Sequence, residues 1–456
     1  MVAKNKSYFN ASAGLLLSVL LVGCGGGDAS PSPPNAGAPP VSPSPSPTPP
    51  PVGGTGEFAG LADQTVTVGQ HALFYVDVDG ATAFQWRKNG QDIAGATQAQ
   101  YLTGTASASD DGTKYSVRVT TPSGTKASQE VSLKIWQDET GAPPADFWGD
   151  VAALPAARNV MTFSFVNRSN GKYADSELFW NLKGRLANGK DIDLLKSFAE
   201  APTYDMSEVY SARMYFYLAK DRAEAKTGDG RYFDFIEMHI ARNDDGGTYR
   251  FNGNSTRVDA FGLKTALRLR CDGGTDVARG EDYGTFLEDR EVTFRKYLAE
   301  SDPEFAQTAN KFRPYRIVEP GAAGFSEEGP YASYFRSYVD RVWQNNGINE
   351  AIVPKPKPFL RFASNQYPDL EAAVARHVAD KPGTFTATGK LINANFWQET
   401  PDTAFYSEGP ANFYARYWHE HGIAGKAYGF PYDDVGGYSS FIACDAPRQL
   451  VVAIGW

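Results

Sequence analysis

The sequence predicts a multidomain chain: a small all-β sandwich, then a large part built from a β-rich lobe and a mixed α/β lobe. Three observations predict it. Between residues 55 and 137, short alternating runs (Val66–Val68, His71–Val78, Thr113–Val119, Val131–Ile135) are split by turn residues. The same period of two returns at Met161/Phe163/Phe165 and Met214/Phe216/Leu218. Further on, the apolar spacing becomes helical, at Phe294/Tyr297/Leu298 and at Tyr331, Tyr334, Phe335, Tyr338, Val339 and Val342. A chain of 456 residues has room for two or three domains.

Residues 1–23 read as a signal peptide. Lys4 and Lys6 precede an apolar core at 11–22 that is too short to span a bilayer. It ends in Leu21-Val22-Gly23-Cys24, which resembles a lipobox; Cys24 would then carry a lipid and become the first mature residue. An ordinary signal peptide with a chance cysteine is the alternative. Residues 24–54 are dominated by Pro, Ser, Gly and Thr, a composition that builds no core and favours extended polyproline II. At about 3.1 Å per residue such a stalk reaches on the order of 70 Å. The expected location is the bacterial cell envelope, lipid-anchored at the outer membrane, or the extracellular space.

Residues 55–137 resemble a bacterial immunoglobulin-like domain. Gln85-Trp-Arg-Lys-Asn-Gly90 supplies a buried Trp86, and Tyr115 fits a tyrosine corner. Phe74 and Val117 stand where the usual cysteine pair would be. The domain is expected to be a spacer, with carbohydrate binding as the second reading.

Residues 138–456 hold the candidate chemistry. Arg231–Ile240 alternates like a strand, so Phe233, Phe235, Glu237 and His239 share one face and Asp234 takes the other. A carboxyl among aromatic rings is disposed to act as a general acid. Asp259 comes after a Gly/Asn/Asp-rich turn, with Arg257 two residues before it as an expected neighbouring cation. Two carboxyls in unlike surroundings are what glycosidic hydrolysis requires. Later in the chain, Pro410, the Phe413/Tyr414/Tyr417/Trp418 stripe and Gly422 predict a helix with start and stop signals.

The stretches around these acids resemble glycoside hydrolase family 64, the thaumatin-like β-1,3-glucanases. The similar segments, in order, are Met161–Gly171, Phe233–Ile240 with Gly253–Leu263, Pro314–Trp343, and Gly425–Ser440. The resemblance covers about residues 145–456. It implies a β-barrel or sandwich lobe of thaumatin-like type, a mixed α/β lobe and a wide groove between them. It implies an inverting endo-β-1,3-glucanase with Glu237 as proton donor and Asp259 as the base that activates water. It further implies sugar contacts from Asn254, Thr256, Tyr432, Asp433 and Asp434. The expected partner is β-1,3-glucan, met by a monomer. A non-catalytic glucan-binding lipoprotein on the same scaffold is the alternative, and a surface adhesin working through the immunoglobulin-like domain is a third reading.

Other classes are disfavoured. The net charge of −9 argues against nucleic acid and against an anionic membrane surface, leaving the N-terminal lipid as the membrane attachment. His419 and His421 are two apart in a predicted helix, on different faces, so no metal is expected. There is no nucleotide loop between a strand and a helix, no Gly-x-Ser-x-Gly elbow, and no cofactor is expected. Cys271 and Cys444 either pair or remain two buried thiols. Thaumatin itself is rich in disulfides, so this chain departs from that pattern.

Overall fold

The computed structural model describes residues 57–227, 232–244, 246–362 and 366–456. The expected signal peptide, the expected lipidation site Cys24 and the expected 24–54 linker lie outside the described residues. Among the described residues no helix is long and apolar enough to cross a membrane.

The first eight strands form a small sandwich. One sheet contains β1 (Gln64–Thr67), β3 (Ala83–Lys88), β4 (Gln91–Asp92), β6 (Lys114–Thr121), β7 (Gly124–Ala127) and β8 (Val131–Trp136). The other pairs β2 (Leu73–Tyr75) with β5 (Gln100–Leu102). Trp86, Tyr115, Phe74 and Val117 are buried in one core, and the Phe74 and Tyr115 rings stack 4.6 Å apart.

This sandwich packs directly against the larger, C-terminal part of the chain. Strand alternation sends Phe74 into the sandwich core and Leu73 and Tyr75 to the opposite side. There they pack with Val292 of the helix Arg290–Glu300. The Arg295 guanidinium lies 4.3 Å above the Tyr75 ring and bonds Asp77 at 3.2 Å. Gln70 donates to buried Asp282 and to the Glu420 carbonyl. The Trp136 and Tyr283 rings meet edge-on at 4.7 Å.

The β lobe is two packed sheets. The six-stranded sheet runs β11 (Asp191–Ser197), β10 (Leu178–Leu186), β13 (Val209–Leu218), β14 (Tyr232–Arg242), β15 (Tyr249–Ser255), β20 (Ile442–Asp445). The five-stranded sheet runs β12 (Thr203–Met206), β9 (Met161–Arg168), β21 (Pro447–Gly455), β17 (Lys264–Cys271), β18 (Asp276–Gly280). Their inner faces share one core, with Trp180, Phe216, Ile236, Met238, Leu267 and Val452 all buried. A Cys271–Cys444 disulfide ties β17 to β20 across the two sheets, resolving the two alternatives for these cysteines.

The second lobe is helical more than α/β. Its core gathers Tyr338, Val342, Trp343, Leu370, Tyr414 and Trp418 from helices Arg336–Asn346, Pro368–Ala375 and Phe413–Glu420. Its strands are the short pair β16 (Ala260–Phe261) and β19 (Ile317–Val318). The apolar C-terminal strand instead enters the β lobe as β21, parallel to β9. It fits there because it is buried on both faces, which suits a central strand.

Candidate active site

Strand β14 sorts its side chains as alternation requires. Ile236, Met238 and Ile240 face the β-lobe core, while Glu237 and His239 stay partly exposed on the other face. Phe235 shares that outer face. Antiparallel pairing sets Arg213 of β13 and Asn254 of β15 directly beside Glu237. Three polar side chains therefore form one row across three strands. Arg213 Nε donates to Glu237 Oε1 at 3.0 Å, and Nη2 of the same guanidinium forms an ion pair with that oxygen at 2.9 Å. The same guanidinium lies 4.6 Å over the Phe235 ring. Glu237 is thus not among aromatic rings alone, as its own strand suggested. The cation comes from a strand 24 residues earlier in the chain. Asn254 Oδ1 is buried and has no hydrogen-bond partner among the described residues.

Asp259 lies where the chain leaves the β lobe. Strand β15 ends at Ser255, and Phe261 of β16 already belongs to the helical core. The intervening loop is held from below. Arg257 is 3 % exposed and bonds Glu281 through Nε and Nη2, both at 2.7 Å, and Asp234 through Nη1 at 2.8 Å. Asp234 also accepts from the Gly262 and Leu263 amides. Burial raises the Asp234 pKa, and Arg257 works against that rise. The loop passes so close to β14 that a Cβ on Gly262 would fall 1.7 Å from the Phe233 carbonyl oxygen, so only glycine fits. The expectation that Arg257 would stand beside Asp259 is therefore corrected: the chain is not extended there, and Arg257 turns inward. Asp259 itself is exposed. Burial works against the charge on Arg213, but Glu237 first, with Tyr215 and Asp259 adding, holds that guanidinium charged.

Sequence reasoning missed a third carboxyl. The β16–β19 register pairs Ala260 with Val318, so the next residues, Asp259 and Glu319, come opposite each other. The Glu319 amide bonds the Asp259 carbonyl at 3.1 Å. Burial raises the Glu319 pKa despite the Gly321 and Ala322 amides, with Asp259 adding to the rise.

The remaining predicted contacts divide. Thr256 is 3 % exposed and its hydroxyl accepts from the Val258 amide, so it shapes the loop and does not line an open surface. Asp433 is fully buried, paired to Arg376 at 2.9 Å and to His419 Nε2 at 2.9 Å, and it accepts from the Gly429 amide. An acid satisfied on that many sides anchors the Gly429–Gly437 turn and is not available to a sugar. Its neighbour Asp434 differs: Oδ1 has no partner among the described residues, and burial raises its pKa. Tyr432 is partly buried against the helical core. His421 pairs with Glu300 at 2.9 Å, so the two histidines do serve different faces. No cluster of metal-ligating side chains occurs among the described residues.

Two carboxyls in unlike surroundings, as Glu237 against Arg213 and exposed Asp259 are, belong to the equipment of glycoside hydrolases. Residues 223–359 and 360–454 match the glycoside hydrolase family 64 model, described as beta-1,3-glucanase; this is more than half of the chain, and the chain belongs to that family. A curated glucan endo-1,3-beta-glucosidase of Arthrobacter sp. (strain YCWD3) is 28% identical over 146 residues, which is 31% of this chain and 26% of the relative. The chain thus spans about a quarter of the length of that relative. Among solved structures, a family 64 laminaripentaose-producing beta-1,3-glucanase from Paenibacillus barengoltzii, complexed with laminarihexaose, shares the fold. It has a TM-score of 0.54 and 23% identity, covering 85% of this chain and 98% of that one. A family 64 beta-1,3-glucanase domain from Clostridium beijerinckii superposes with a TM-score of 0.54 at 18% identity, covering 67% and 100%.

Proposed function

We propose that the protein is an endo-β-1,3-glucanase that cuts β-1,3-glucan to short laminari-oligosaccharides with inversion at the anomeric carbon. The observation that supports this reading is that Glu237 on the outer face of β14 and exposed Asp259 just after β15 both act on the Arg213 guanidinium, and both lie inside the family match. Glu237 gives its proton to the glycosidic oxygen as the C–O bond breaks. Asp259 takes a proton from a water, which attacks the anomeric carbon from the opposite face. Inversion calls for carboxyls about 6.5–9.5 Å apart, with that water between them.

Asn254 and Asp434, each with a buried oxygen that has no partner among the described residues, are the proposed sugar-hydroxyl contacts, together with Tyr432. Thr256 and Asp433 act by holding their loops. No cofactor enters the scheme. Cys24 is proposed to carry the lipid that tethers the protein to the envelope through the 24–54 linker.

Glu237→Gln tests the assignment. The variant keeps the shape but has no carboxylic proton to give, and turnover is expected to fall by about 10²–10⁴ while glucan binding persists. Near-normal hydrolysis would remove Glu237 from the mechanism. Retained binding by a wild-type protein that releases no oligosaccharide would favour the glucan-binding alternative.

A further inference from the structure

We propose that Arg213 is a positioning residue for proton delivery: it fixes the Glu237 carboxyl by one oxygen, so that the other carries the proton transferred to the leaving sugar. The proposal rests on the reading of Glu237 as the general acid.

The geometry of the row carries it. Arg213 and Glu237 are direct cross-strand partners, so their backbones are held by the ladder and not by a mobile loop. The Nε–H donates to Oε1, and Nη2 of the same cation lies 2.9 Å from that oxygen. An oxygen that accepts from a guanidinium and faces two of its nitrogens is the unfavourable place for a proton, which therefore belongs on Oε2. The guanidinium is fixed from a further side, lying 4.6 Å over the Phe235 ring. It cannot be the acid itself, since Arg does not give up its proton in proteins.

Its contribution grows along the reaction. As Glu237 loses its proton, a neutral carboxyl becomes a carboxylate, and its contact with Arg213 becomes a full ion pair around a charge-assisted hydrogen bond. Attraction that increases toward the transition state accelerates the step, whereas attraction equal in both states does not. Such preorganised donors typically account for about 10²–10³ in rate.

The test uses the full mature chain and two substrates. One is laminarin, whose sugar leaving group needs a proton. The other is a 2,4-dinitrophenyl β-laminari-oligosaccharide, whose phenolate leaves without one. Arg213→Gln is expected to lower kcat on laminarin by about 10²-fold, with KM little changed, and to lower it only a few-fold on the aryl substrate. Arg213→Lys, which keeps the charge but loses the fork, is expected to fall between wild type and Gln, and it carries the test if the Gln variant does not fold. Glu237→Gln on the same pair checks the underlying reading. Equal losses on both substrates for Glu237→Gln would overturn that reading. A clear split for Glu237→Gln with equal losses, or no loss, for the Arg213 variants would overturn the role of Arg213 alone.

Discussion

Replacing Arg257 by Met removes the guanidinium that stands between Asp234 and Glu281 while keeping similar bulk. The wild-type group makes five polar contacts: three to the two carboxylates, one to the Thr256 carbonyl and one to the Leu263 carbonyl. Both carboxylates are almost wholly buried, so water does not replace it. Breaking a buried pair by removing one partner costs about 3–5 kcal/mol. That is a large part of the roughly 5–15 kcal/mol available to a folded domain. The loss should also depend on pH. Burial already raises the Asp234 pKa and Arg257 opposes the rise, so the variant's Asp234 should rise further. An acid with a raised folded-state pKa takes up a proton on folding, so its contribution worsens as pH climbs above the ordinary value of 3.8. Urea unfolding at pH 8 and pH 5 is the assay, and the deficit should be larger at pH 8. Activity should fall as well, since Asp259 is two residues away and a shift of about 1 Å in a reacting group can cost roughly 10²-fold. A variant within about 1 kcal/mol of wild type at both pH values would refute the reasoning.

Two more predictions concern buried contacts. Burial works against protonating His421 and against ionising Glu300, but each partner's charge wins: the His421 pKa is raised and the Glu300 pKa lowered. The histidine's stabilisation is complete below its ordinary 6.5 and is lost as pH rises through its folded value; that of Glu300 is complete above 4.5 and is lost on acidification. His421→Asn should therefore cost about 1.5–3 kcal/mol near pH 6 and less at pH 9, read by chemical denaturation. Deleting residues 55–136 uncovers Val292 and strips Arg295 of Tyr75 and Asp77, so the melting temperature should drop by several degrees from a loss of about 1.5–3 kcal/mol. Soluble laminarin should still be cut within a few-fold of the wild-type rate; collapse of activity in a folded truncation would mean that the sandwich supports the site.

Much of the fold was legible wherever a single segment determines the outcome. The face of β14 that carries Glu237, the helix from Phe413 and the buried Tyr338 stripe all come from periodicity. What was hidden depends on partners distant in sequence. Arg213 meets Glu237 through strand register, and Glu319 meets Asp259 through the two-residue β16–β19 ladder. Arg257 and Asp259 look alike by alternation, yet the loop between β15 and β16 is not a strand, so they part. Asp433 and Asp434 are indistinguishable as neighbours in a Gly-flanked turn. They separate because Arg376, 57 residues away, and His419 take one and leave the other. Tyr75 belongs to the alternating run His71–Val78, whose pattern does not show that the outer side of its short strand is covered by a helix more than 200 residues downstream.

The central claim is direct attack of an Asp259-activated water with Glu237 as acid, and the anomeric form of the first product tests it. Proton NMR on early time points of β-1,3-glucan hydrolysis, before mutarotation, should show the α-anomer at the new reducing end, with the β-anomer growing only later. First appearance of the β-anomer would mean retention through a covalent intermediate, and would contradict the roles given to both carboxyls.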